Sequence, residues 1–149
     1  MALKFLEIIC GNSSLGITPE GGLFETFINN TTTETSVKGT IVIASTTVQG
    51  GVDTAPAGSA VPIGVIYESG ITKGAIVKVV TSGKAQALLA SDQTSTTGYW
   101  CGVSSTVNGR MYQLADAPVG TSAHNQEIGH SLQTVSTPGS LSLIQMHFN

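Results

Sequence analysis

Charged side chains are scarce in this 149-residue chain. Asp, Glu, Lys and Arg make up 10% of it, where about 25% is typical of a soluble domain. Six Lys and Arg stand against nine Asp and Glu, for a formal net charge of -3. Neutralising nucleic-acid phosphates needs a concentrated basic patch, and gripping an anionic membrane needs a polybasic stretch. Neither is present, so no nucleic-acid or membrane partner is expected. Aromatic residues are also few, at 5%. Cysteine occurs only at Cys10 and Cys101, a usage that fits two reduced thiols in an intracellular product better than a disulfide framework. Long apolar runs are missing as well. The opening Met1 to Cys10 is interrupted by Glu7, so neither a signal peptide nor a bilayer-spanning segment is expected.

What remains is Thr, Ser, Gly, Val and Ile. The β-branched residues favour strands, and Gly and Ser favour the turns between them. Low charge here does not signal disorder, which combines low hydrophobicity with high net charge. A neutral Thr-rich surface suits packing against neighbours, because hydroxyls are cheaper to desolvate than charges. The fold class expected is all-β: a compact, small β-barrel-like or β-sandwich body with an extended N-terminal arm.

Strands are expected near residues 40–44, 63–67, 75–80, 84–89, 99–103 and 141–148. Turns are expected at Glu68-Ser69-Gly70, at Thr81-Ser82-Gly83, at Pro138-Gly139, and at Asn108-Gly109 as a two-residue hairpin. The final run needs an irregular step near Ile144 if Leu141, Leu143, Met146 and Phe148 are to share a face, which a bulge would supply. Residues 1–34 read as an arm and 35–149 as the body. The arm carries two apolar clusters separated by Pro19, Gly21 and Gly22. Leu3, Phe5 and Ile8 belong to the first; Leu23, Phe24, Phe27 and Ile28 form the second. Such sets either fold back on their own core or dock on a partner.

No constellation of catalytic residues stands out, and no enzyme activity is expected. The histidines are His124, His130 and His147. With Glu127 they show no metalloprotease spacing, and no paired-cysteine zinc motif exists. They read as hydrogen-bonded side chains in loops or at a subunit contact, with no metal and no cofactor assigned. There is no Gly-x-Ser-x-Gly elbow and no phosphate-binding glycine loop. Trp100 reads as core or interface packing. Trp100, His130, His147 and Phe148 are the candidate subunit contact.

Several segments, in order, resemble a family of small tailed-phage proteins encoded near the major capsid protein, the head decoration or cement proteins. They are Asp53 to Pro62, Ile63 to Gly70, Gly74 to Val80 with Ser82-Gly83-Lys84-Ala85, and Gly98-Tyr99-Trp100. Glu127-Ile128-Gly129-His130 and the ending Leu143 to Asn149 complete the set. The likeness covers roughly residues 35–149 and rests on the order of short motifs. It implies a β-rich body, often a homotrimer, seated on the outer capsid surface where subunits of the major capsid protein meet. It carries over no catalytic residue. On this reading the protein is a virion component made in the host cytoplasm, and Leu3, Phe5, Ile8, Leu23, Phe24, Phe27 and Ile28 are candidate capsid contacts. A tail or head-completion protein shares the same polar β character. A carbohydrate-binding module with Tyr99, Trp100 and Tyr112 as its platform is a third reading.

Overall fold

The structure, a computed structural model, describes residues 8–10 and 13–147. It is all-β but for one short helix, as the composition leads one to expect. The first half comprises β1 (Ile8–Cys10), β2 (Ser13–Ile17), β3 (Gly22–Asn29), β4 (Ile41–Ala44), β5 (Gly51–Thr54), β6 (Gly64–Ile66) and the start of β7 (Ile76–Leu88). The second half takes the rest of β7, then β8 (Trp100–Val103), β9 (Met111–Leu114), helix α1 (Thr121–Asn125), β10 (Glu127–Ser131) and β11 (Leu141–Met146).

All eleven strands belong to one sheet, which does not close as a whole. Within it, pairing runs β3–β5–β4–β6–β7 and returns from β7 to β3. The second half repeats the path. Pairing runs from β7 through β11, β10 and β8 to β9, and Met111 of β9 bridges back to Leu89 just past β7. Each ring includes one parallel pairing: β3 with β5, and Leu89 with Met111.

The two rings match in detail. Ser45 Oγ accepts from the N–H groups of Thr47 and Val48 at 3.3 and 3.1 Å, and Ser104 Oγ accepts from those of Thr106 and Val107 at the same distances. The Gly39 and Gly98 N–H groups each donate at 2.8 Å, to the carbonyls of Ile66 and Ser131. Ser36 and Ser95 each donate a hydroxyl to a carbonyl, that of Glu68 at 2.7 Å and that of Gln133 at 2.8 Å. From β3 onward the described residues form two copies of one five-strand unit in tandem, with β7 shared between them. Ser45-Thr46-Thr47-Val48-Gln49-Gly50 and Ser104-Ser105-Thr106-Val107-Asn108-Gly109 are its plainest trace in sequence.

Two cores follow from this. Val42, Val52, Ile66, Val77 and Val79 form the one of the first ring. Cys101, Val103, Met111, Ile128, Ile144 and Met146 form the other, and Ile41, Val65 and Val80 from the opposite face of the first ring join them. The first unit thus lays one outer face against the second. Backbone bonds reinforce the junction: Ile41 N–H donates to Gly109 O at 2.9 Å and Gly109 N–H to Ala55 O at 2.8 Å.

Four local expectations change. Thr81-Ser82-Gly83 is no reversal, since β7 runs straight through it; Gly83, at φ 78°, pairs with Gly22 and with Met146 and passes the chain from one ring to the next. Asn108-Gly109 is the end of a wider loop, because Val103 pairs with Met111 and leaves residues 104–110 between the strands. β11 carries no bulge: its register with β7 is unbroken, and Ser142, Ile144 and Met146 face inward. Ser142 is tolerated there because its Oγ lies 2.7 Å from Ser95 Oγ. Finally, the expected arm does not extend to residue 34. β3 pairs along its length with β7, so residues 22–29 are part of the body.

Candidate functional site

Of the candidate capsid contacts, Leu3 and Phe5 lie outside the described residues, and Ile8 is a backbone position in β1 opposite Leu15. Leu23, Phe24, Phe27 and Ile28 are half-buried on β3. Phe24 packs on the larger core and Phe27 on the smaller. Phe24 also stacks on Tyr67 with ring centroids 6.5 Å apart, and its ring covers Gly16. Of the two fates open to the second apolar cluster, folding back on the chain's own core is the one these two phenylalanines adopt.

Three of the four candidate subunit contacts come together, and Phe148 lies outside the described residues. Trp100 and His130 face each other across the β8–β10 pairing, rings 4.1 Å apart. His147, just past β11, lies 4.9 Å from the His130 ring and 6.1 Å, edge-on, from Trp100. All three are half-buried. Tyr112 shares this side of the sheet, its ring lying against Gly102.

Sequence reasoning passed over Glu127 as part of this group. Strand residues three apart normally point to opposite faces. Here β10 is bulged: Gly102 pairs with Glu127 but Cys101 with Gly129, so Ile128 is the extra residue. The bulge puts Glu127 and His130 on one face. Gly129 makes it possible, at φ 146° and with a backbone so close to Gln145 O that no Cβ fits. A glycine inside a strand pattern, in Glu127-Ile128-Gly129-His130, was the available signal.

The Glu127 side chain is 1% exposed. Its Oε1 is 2.9 Å from His147 Nε2 and its Oε2 is 3.4 Å from His124 Nδ1. His147 Nε2 is also 3.0 Å from His130 Nδ1. Glu127, His130 and His147 each offer one donor atom, all within 4.8 Å of one another. Beneath them Cys101 is a free, buried thiol. Burial pushes it up to about 12, the Ser131 backbone partly opposing and the Glu127 charge adding to the rise. At neutral pH it is a protonated, inert core group.

Elsewhere, a cleft of about 110 Å³ lies where the halves meet, between Thr32, Thr54, Asn108 and Arg110. Small-molecule sites usually need roughly 300–1,000 Å³. No helix among the described residues is long and apolar enough to cross a membrane. No family model matches the chain, and no curated protein or solved structure matches it.

Proposed function

We propose that this protein is a virion structural component that binds the outer surface of the capsid and stabilises it, working as a homotrimer. The observation that carries its assembly role is a comparison of matching faces. In the first unit, Ile41, Val65 and Val80 stand on neighbouring strands and are 0%, 1% and 2% exposed, because the second unit covers them. The matching positions in the second unit are Trp100, His130 and Gln145, neighbours in the same order. Among the described residues no third unit covers them. A face built to be covered, and filled with large flat side chains, suits a second copy of the chain. A contact of that head-to-tail kind closes without open growth if its rotation forms a ring, and a trimer is such a ring.

The capsid as partner rests on the resemblance of the motifs from Asp53 to Asn149. Leu3, Phe5 and Ile8 remain the apolar residues proposed to meet the major capsid protein, now that Phe24 and Phe27 serve the body. Sedimentation of the purified protein, followed by binding to expanded capsids, tests both parts. The reading expects a trimer that Trp100→Ala shifts toward monomer, and a deletion of residues 1–12 that stays folded but binds capsids weakly. A monomeric wild type sinks the trimer, and unchanged capsid binding by the deletion sinks the docking role of the arm.

A further inference from the structure

His147 Nε2 has two close partners, Glu127 Oε1 at 2.9 Å and His130 Nδ1 at 3.0 Å. One ring nitrogen carries at most one proton. With its proton aimed at the carboxylate, Nε2 has no lone pair for His130. With its lone pair turned to His130, it brings an unshared electron pair against the carboxylate. Protonating both rings points two N–H groups at each other. No single two-centre hydrogen bond serves both close contacts of Nε2, whereas a cation between the three atoms can accept a lone pair from each.

We propose that Glu127, His130 and His147 bind a divalent first-row transition metal ion of the zinc type, independently of any capsid or oligomer contact. The donor set is two imidazole nitrogens and one carboxylate oxygen, which suits such ions better than Mg²⁺ or Ca²⁺. Bonds of about 2.0–2.2 Å in tetrahedral geometry place ligand atoms ~3.3–3.5 Å apart. Two of the three separations, 2.9 and 3.0 Å, are below that range and the third is no more than 4.8 Å, so seating the ion requires the imidazoles to rotate. The surroundings hold the ligands in place. The β10 bulge aims Glu127 and His130 to one side, Trp100 packs on the His130 ring, and His124 contacts the second carboxylate oxygen. Outer contacts of this kind orient metal ligands. Three protein ligands leave a fourth position for water. The ion ties His147, near the end of the chain, to the bulge in β10.

The test uses the full-length chain without a histidine tag, stripped with chelator and titrated with Zn²⁺ by calorimetry and with Co²⁺ by absorption and fluorescence. Trp100 is the single tryptophan, so Co²⁺ at this site quenches the protein's tryptophan emission. The expected result is one ion per chain, the visible bands of tetrahedral Co²⁺, and a melting temperature raised by Zn²⁺. His147→Ala and His130→Ala weaken binding by on the order of a hundredfold or more. His124→Ala, which removes only an outer contact, costs about tenfold. Because Glu127 is buried and Glu127→Gln risks the fold, the half-exposed His147 is the deciding variant, with its folded state checked by circular dichroism. No Zn²⁺ uptake by the wild type at millimolar metal overturns the proposal. So does uptake that His147→Ala and His130→Ala leave unchanged.

Discussion

The two halves share a strand path, a serine-capped loop and a glycine two residues before the second strand, yet differ in what fills them. Inside the first ring stand Val42, Ile66 and Val77; at the matching places in the second stand Cys101, Ser131 and Ser142. On the outer face, Ile41 and Val65 give way to Trp100 and His130. The first half is apolar on both faces because it is covered on both. The second half keeps polar groups inside by pairing them, as Ser142 pairs with Ser95, and places aromatic and titratable groups on the outer face, which the described residues leave half-exposed. The common frame comes from backbone bonds and turns, and its faces are free to diverge.

The largest expected effect breaks the frame where the halves differ most. Gly64 and Gly129 occupy matching positions, each facing a backbone carbonyl of the next strand, that of Val80 or that of Gln145. Gly64 lacks an unusual φ, whereas Gly129 sits at 146°. Gly129→Ala is expected to destabilise the protein by about 3 kcal/mol or more, through strain and loss of the bulge. Gly64→Ala costs less, since its φ is ordinary and an added Cβ stands 2.6 Å from Val80 O, whereas one at Gly129 comes closer still to Gln145 O. Urea unfolding of both variants measures the difference.

A second difference is titration. Cys101 stands where the first ring has Val42, which has no proton to lose. The folded thiol is held at about 12 against an ordinary 9.0, so the fold favours the protonated form. That contribution is intact below pH 9 and is lost as pH rises from there toward 12. Unfolding midpoints measured upward from neutral pH are expected to fall more steeply above pH 9 in the wild type than in Cys101→Ser. Equal slopes would show that the thiol is not protected. The smallest effect concerns the capped loops. Ser104 is 3% exposed and Ser45 is half-buried. Ser104→Ala should cost roughly 1–2 kcal/mol and Ser45→Ala about 0.5 kcal/mol, because the Ser104 hydroxyl is the more buried and water replaces it less readily. Equal costs would mean the loops are equally solvated.

Much of this was legible in sequence. The strands Ile41–Ala44, Gly64–Ile66 and Trp100–Val103 fall within expected strands, because burial and β propensity agree there. Gly83 misled, since a glycine with positive φ serves a strand crossing between two rings as well as it serves a turn. Leu141 and Leu143 misled because apolar spacing suggested the inner face, while Ser142 took it with a hydrogen-bonded hydroxyl. The Glu127–His130–His147 group was not legible: a bulge reverses the alternation at Ile128, and His147 arrives from a different strand. The tandem repeat was open to view in two serine-led loops, but their short match is hidden among many similar Thr and Ser runs.

On the proposed reading, the face bearing Trp100 and His130 is covered by another copy of this chain on a capsid surface. A reconstruction of particles with and without the protein tests it most directly. The account predicts added density on the outer surface, in threes, with Trp100 of each copy buried against its neighbour. Particles without added density, or copies whose Trp100 face points to solvent, would contradict it.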